Sequence, residues 1–333
     1  MAGRTFEHAH MLLRNLMKRP SLGKHVKRLE QLHCLFCTFA YGSIPALAVV
    51  HWTISLVRHC PDIVGISIWP DLELGWPAEL ERLPHLRELV VSPRLGDDTS
   101  RRQDLAAYFE FLTTLPWNRL RLSSAWLYNY RGRASGAESD SPALLRIPAV
   151  ELHLVECCVP SWSAYGLIID DVRTLSLCET PRPWLGHNFV LPRSLEALSL
   201  HAARPVERDD DDDRFYWSVG EWIDLIAYPE QLSRLRTVRL SGVHIDSAAF
   251  SQLCAAAPNL KVIDMSYVSW YAEPQGRDTV DVEITVALGA LVKLRYVHLG
   301  KVPQGSLLRA TRALCARISV ELEWYALTRS PLR

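Results

Sequence analysis

The sequence predicts an α/β fold, a curved solenoid in which parallel strands line the concave face and helices pack on the outside. The first observation behind this prediction is that short apolar segments with the spacing L-x-x-L-x-L recur along the chain. The second is that several of these segments follow a helix-like run that ends at a proline. A strand this short cannot bury its apolar side alone, whereas stacked parallel strands share one continuous core.

The clearest repeat unit spans Ala255 to Met265. A helix-like run ends at Pro258, and Leu260, Ile263 and Met265 then supply the three apolar positions. This is the strand signature of a leucine-rich repeat. Four of the eight steps between successive segments, those of 23, 23, 23 and 25 residues, lie in the ~20–29 range typical of that repeat, and two of the longer steps coincide with predicted insertions. The second apolar position of each segment falls at Ile66, Leu89, Leu120, Leu152, Leu175, Leu198, Val238, Ile263 and Val297.

The other elements fit between these strands. Residues 1–25 are predicted to form an N-terminal capping helix, amphipathic over 6–19 and stopped by Pro20. Residues 26–333 then form the leucine-rich-repeat domain, with insertions near 130–142 and 203–217. Val26 and Leu29 open a first, imperfect strand, and Leu322 lies in a terminal strand. Helical periodicity marks residues 44–60, 102–115, 222–232, 245–257 and 304–317.

Composition excludes several classes of protein. Lys and Arg number 37, as do Asp and Glu, so the formal net charge is zero and a general nucleic-acid binder is not expected. No run reaches the ~18 apolar residues of a membrane span, and no signal-peptide core is seen. The 8 cysteines lie mostly in apolar segments, as buried free thiols do. We therefore expect a reducing compartment, the cytosol or the nucleus.

No catalytic or cofactor motif stands out, so we expect a protein that is not an enzyme. Phosphate-binding, nucleophile-elbow and zinc-protease patterns are absent from the sequence. Cys34-x-x-Cys37 with His33 would supply only part of a zinc site, since Cys157-Cys158 makes a poor second pair. We expect buried thiols there, and neither a metal nor a cofactor. The acidic run Asp209–Asp213 is expected to be a solvated loop.

Candidate binding residues follow from strand alternation. If the leucines of L-x-L point inward, the residue between them points to the concave face. These residues are Ser67, Val90, Arg121, His153, Ser176, Ser199, Arg239, Asp264 and His298. Tyr296 lies two residues before the last of them, and Tyr and Arg are frequent hot-spot residues of interfaces. The predicted contact residues for a protein target are Arg121, His153, Arg239, Asp264, Tyr296 and His298.

Several segments together carry a family resemblance. They are the leading segment Leu12–Pro20, its continuation His25–Leu29, and the repeat joints Cys60–Ile63, Leu83–Leu89 and Pro258–Lys261. The pattern resembles the leucine-rich-repeat part of fungal F-box-type proteins. In that family the repeats select a target, and an F-box joins the protein to the Skp adaptor of a ubiquitin ligase. The F-box core itself is not evident ahead of the repeats. The resemblance therefore implies a target-selecting module, with a non-ligase interaction scaffold and an enzyme or GTPase regulator as alternatives.

Overall fold

Two compact units make up the chain in the computed structural model. The first comprises Met1–Leu152 with Gly166–Ile169, and the second comprises His153–Tyr165 with Asp170–Arg333. The structure describes residues 11–29, 54–68, 75–91, 111–128, 145–155, 167–178, 191–201, 232–265, 268–270, 277–300, 313–316 and 321–323.

The first unit is built on parallel strands that follow one another in chain order. Described helical residues lie at 11–18, before the first strand, and between the strands at 54–59, 111–114 and α1 (Trp76–Glu81). A small side pair is formed by β5 (Leu145–Arg146) and β7 (Leu167–Ile168). The strands of the main sheet are β1 (Arg28–Leu29), β2 (Gly65–Ile68), β3 (Glu88–Val91), β4 (Leu122–Tyr128) and the first residues of β6 (Ala149–Val155).

The second unit repeats this arrangement. Its described helical residues are α2 (Ser247–Ala256), α3 (Arg277–Gly289) and 313–316, and β11 (His244–Ile245) pairs with β13 (Ser269–Trp270) beside the main sheet. The main strands are again parallel and adjacent in chain order. They are β8 (Thr174–Cys178), β9 (Ala197–His201), β10 (Thr237–Ser241), β12 (Val262–Asp264), β14 (Tyr296–His298) and β15 (Glu321–Glu323).

The register of the strands confirms the repeat. In the first unit Leu29, Ile66 and Leu89 are aligned on neighbouring strands. The aligned residues in the second unit are Leu175, Leu198, Val238, Ile263, Val297 and Leu322. Each of these from Ile66 to Val297 is at most 2% exposed, and burying one such side chain contributes about 1.5–3 kcal/mol. The fold class is therefore the predicted one, an α/β leucine-rich-repeat solenoid.

One predicted repeat strand is placed five residues too early by the sequence pattern. The apolar triplet Trp117-x-x-Leu120-x-Leu122 was expected to form it, but the residue aligned with Leu89 is Ala125. Trp117–Arg119 instead form a 3-10 turn. The indole Nε1 of Trp117 donates to the backbone oxygen of Leu112 at 2.7 Å, which holds that turn against the preceding helix. Leu122, Ala125 and Leu127 take the three core positions of β4.

Two helices of the second unit differ from the sequence-based prediction. The best predicted helix begins later than residue 245, because Ile245 belongs to β11 and Asp246 caps α2 by accepting a hydrogen bond from the amide of Ala249 at 2.7 Å. Helix α3 was not predicted. Val282 and Val286 on it are 62% and 66% exposed, so its apolar pattern does not follow one face.

Other sequence-based predictions fall only partly on described residues. Helical structure is present at 11–18, 54–59, 111–114 and 313–316, inside four predicted helices. Both predicted insertions, near 130–142 and 203–217, lie outside the described residues, as do Cys34, Cys37 and the run Asp209–Asp213. The domain boundary at residue 25 remains a prediction.

Candidate functional site

The strand register brings polar side chains into one row across the second unit. Arg239 on β10 is aligned with Asp264 on β12, and Asp264 is aligned with His298 on β14. Neighbouring parallel strands lie about 4.8 Å apart, so these side chains are near neighbours. The row of described side chains, named here the concave row, is Ser176, Ser199, Arg239, Asp264 and His298.

Two residues of the concave row form a charge-assisted pair when the imidazole is protonated. Nδ1 of His298 lies 3.3 Å from Oδ1 of Asp264. The side chain of His298 is 8% exposed, whereas that of Asp264 is 28% exposed. The pair therefore has a buried end that positions it and a solvent-facing end that a partner can reach. Arg239, beside Asp264, is exposed.

His201 lies next to this row and was not selected from the sequence. It is at the end of β9, aligned with Ser241, and its Nε2 is 2.8 Å from Oγ of Ser199. Burial lowers the pKa of His201, and the Arg239 charge lowers it further, while Asp264 acts in the opposite direction. The strand register places His201 near Arg239, because its partner Ser241 lies two residues after Arg239 on β10. The sequence could have indicated His201, because it lies two residues after Ser199 on β9 and alternation places it on the same face.

Tyr296 lies in the neighbouring row, two residues before His298. Its strand partner is Val262, and it is half-buried. Because residues two apart on a strand point to the same face, Tyr296 and His298 lie on the same side of β14. The structure thus brings four predicted contact residues together: Arg239, Asp264, Tyr296 and His298.

The two remaining predicted residues lie elsewhere. His153 occupies the position between Leu152 and Leu154 on β6, as predicted, and burial lowers its pKa to about 4. It is therefore uncharged near neutral pH. Arg121 does not occupy the concave-face position that the sequence pattern predicts, because Ala125 rather than Leu120 is aligned with Leu89. It precedes β4 and is exposed, and Trp126 is aligned with Val90 at the row position instead.

Trp126 and Tyr128 form an aromatic surface on the first unit that the sequence-based selection missed. Their rings stack with centroids 6.5 Å apart, and both side chains are half-buried. The indole Nε1 of Trp126 donates to Oγ of Ser124 at 3.1 Å, which fixes the ring. Aromatic side chains of this kind contribute large contact area to interfaces. The correct register of β4 would have identified them.

Three of the four described thiols are suited to packing. Burial raises the pKa of Cys60 to about 11 and that of Cys254 to about 12. It raises the pKa of Cys315 as well. A thiolate is the reactive form of cysteine, and burial disfavours that form at all three. Among the described residues, no group of His, Cys, Asp and Glu is arranged to hold a metal ion.

The chain is similar to a solved structure. The crystal structure of a TLR13–ssRNA13 complex is similar to this chain with 16% sequence identity and a TM-score of 0.43, over 81% of this chain and 34% of that one. The chain thus spans about a third of the length of that structure. No family model and no curated protein matches the sequence.

None of the helices in the described parts of the chain has the length and apolar character needed to cross a membrane.

Proposed function

We propose that the chain is a protein-recognition module that binds its target through the concave row of the second unit and the adjacent Tyr296. The observation that supports this proposal is the alignment of Arg239, Asp264 and His298 on three neighbouring strands. Repeat solenoids use such rows as extended binding surfaces. The row and the adjacent Tyr296 offer an exposed cation, a half-buried carboxylate and a phenol, which are groups that recognise polar protein surfaces, while the buried His298 positions the carboxylate.

The environment of the row favours binding over chemistry. Arg239 is exposed, while Asp264 and His298 are held by each other. A preorganised pair next to a projecting arginine lowers the entropic cost of forming an interface. Trp126 and Tyr128 of the first unit provide a further aromatic surface for contacts.

The more specific part of the proposal is that the module selects targets for an F-box-type ubiquitin ligase through the Skp adaptor. Its support is the resemblance of Leu12–Pro20, His25–Leu29 and the repeat joints to fungal F-box-type repeat proteins. We expect this activity in the cytosol or nucleus, where buried thiols such as Cys254 stay reduced. Neither nucleic acid nor membrane is among the proposed partners.

The test is an affinity purification of the tagged full-length protein together with purified Skp adaptor, read by mass spectrometry. The wild type is compared with Arg239→Glu, which reverses the exposed charge of the row. Arg121→Glu is the matched control, because Arg121 is an exposed arginine outside the row. A target protein that is recovered with the wild type and Arg121→Glu and lost with Arg239→Glu would support the recognition surface.

The adaptor arm decides between the two forms of the proposal. Recovery of the Skp adaptor with cullin would support the ligase role. Recovery of a target without the adaptor would refute that role and favour the alternative, an interaction scaffold. Targets recovered equally with Arg239→Glu would contradict the proposed surface itself.

A further inference from the structure

A basic groove runs along the second unit at the ends where its strands begin. It has a volume of about 730 Å³. Five cationic residues line it, with Glu196 as the acidic side chain among the described lining residues. The cationic residues are Arg234, Arg236, Lys261, Lys293 and Arg295.

The repeat itself creates this groove. Arg236, Lys261 and Arg295 each lie directly before the strands β10, β12 and β14. The amide of Lys261 donates to the backbone oxygen of Arg236 at 2.7 Å, and the amide of Arg295 donates to that of Lys261 at 2.9 Å. The strand ladder thus continues through these residues and holds their backbones one strand spacing apart.

A second row is fixed by side-chain contacts. Nδ2 of Asn259 donates to the backbone oxygen of Ser233 at 2.7 Å, and Nζ of Lys293 donates to Oδ1 of Asn259 at 2.6 Å. These hydrogen bonds connect the turns that precede β10, β12 and β14. The wall of the groove is therefore ordered rather than a set of independent long side chains.

The positive charge of the groove is only partly balanced. Glu196 is shared between two arginines: Nη1 of Arg236 lies 3.3 Å from Oε2, and Nη1 of Arg173 lies 3.7 Å from Oε1. In the part of the chain that the structure describes, no carboxylate forms an ion pair with Arg234, Lys261 or Arg295. A local cationic surplus therefore exists on a protein whose formal net charge is zero.

We propose that this groove binds an extended acidic segment of a protein partner. Three adjacent strand positions span about 10 Å, and an extended chain rises about 3.3 Å per residue, so the groove accommodates three or four residues. Carboxylates of such a segment would form charge-assisted hydrogen bonds with Arg236, Lys261 and Arg295. Val292, which is 87% exposed, offers an apolar contact at the same groove.

The test uses fluorescence anisotropy of the full-length protein with a short fluorescein-labelled peptide that carries a run of glutamates. The same peptide with glutamines is the neutral comparison. We expect only the glutamate peptide to bind, with an affinity that falls as salt is raised. The double variant Lys261→Glu/Arg295→Glu should weaken binding by at least about tenfold, which corresponds to one strong charged contact.

Three controls make the result specific. Lys261→Gln/Arg295→Gln should weaken binding in the same direction by a smaller factor, and circular dichroism checks that both double variants are folded. Arg121→Glu should leave the affinity unchanged. Arg239→Glu should also leave it within about twofold, because solvent screens charges beyond the direct contacts.

The outcomes separate this proposal from the concave-row proposal. Loss of target capture in Arg239→Glu with peptide binding intact would support both surfaces independently. Equal binding of the glutamate and glutamine peptides, or unchanged binding in both double variants, would overturn the groove proposal. An RNA oligonucleotide that binds as tightly as the glutamate peptide would overturn it as well, because the groove would then recognise polyanions in general.

Discussion

The imidazole of His298 lies against the carboxylate of Asp264, with Nδ1 and Oδ1 3.3 Å apart on the adjacent strands β14 and β12. His298 as a whole residue is only 6% exposed. The carboxylate of Asp264 therefore helps to accommodate the polar ring of His298 within the sheet. The parallel register places the two residues directly beside each other. The same pair thus contributes to stability and shapes the proposed binding surface.

Asp264→Ala is expected to lower the free energy of unfolding by about 1–3 kcal/mol, the typical cost of removing the partner of a buried polar group. The measurement is urea denaturation followed by circular dichroism. Asp170→Ala, at an exposed position, should change stability by less than about 0.5 kcal/mol. If the two variants were equally stable, the contact between His298 and Asp264 would contribute nothing to folding.

The register of β4 gives a second prediction. Ala125 is fully buried beside Leu89, whereas Ser123 is exposed. Ala125→Arg should therefore cost about 3–5 kcal/mol, because it places an uncompensated charge in the core. Ser123→Arg should cost less than about 0.5 kcal/mol. Thermal denaturation of both variants measures the difference in stability. A larger loss for Ser123→Arg than for Ala125→Arg would contradict the register of β4 described here.

The repeat was predictable because its apolar periodicity is strong where strands are regular. Leu198, Val238 and Ile263 occupy the expected positions. At β4 the core position is occupied by Ala125, whose small side chain does not stand out as part of an apolar pattern. Trp117 and Leu120 match the apolar pattern but belong to a 3-10 turn and its C-cap. Local periodicity does not reveal a 3-10 turn fixed by an indole hydrogen bond, so only the tertiary structure distinguishes the two registers.

The candidate site was predictable to the same extent. Arg239, Asp264 and His298 follow from strand alternation alone, and the structure places them side by side. His201 and Trp126 were missed for different reasons: the first lies two residues beyond the apolar pair, and the second depends on the corrected register. The basic groove arises from residues that precede the strands, where alternation makes no prediction.

The third prediction concerns acid stability. Burial lowers the pKa of His153 from the ordinary 6.5 to about 4. On acidification the unfolded chain takes up this proton before the folded one does, so the stabilisation is complete above pH 6.5 and is lost as the pH falls towards 4. His201 contributes in the same direction.

The experiment compares the free energy of unfolding across that pH range in wild type and His153→Gln. The variant should lose less stability on acidification than the wild type does. His25→Gln, which changes an exposed histidine, is the control and should behave as the wild type. Identical pH dependence in His153→Gln and wild type would contradict the inferred burial of the imidazole.

The fourth prediction compares two glycines with left-handed backbone. Gly300 has φ 67° and Gly75 has φ 65°. An added Cβ at Gly300 would collide with the backbone oxygen of Met265, whereas nothing lies within 4 Å of one at Gly75. Gly75→Ala should cost about 1–2 kcal/mol from the backbone conformation alone. Gly300→Ala should cost a further 1–3 kcal/mol or so from overpacking, measured by urea denaturation; equal costs would contradict the close approach.

Site-specific photocrosslinking is a direct test of whether the concave row recognises a protein target. A benzophenone amino acid replaces Arg239 in one version of the protein and Arg121 in another, and crosslinked products are identified by mass spectrometry. A defined target protein should be crosslinked from position 239 and absent from position 121. Crosslinks of equal yield from both positions, or from position 121 alone, would contradict that recognition.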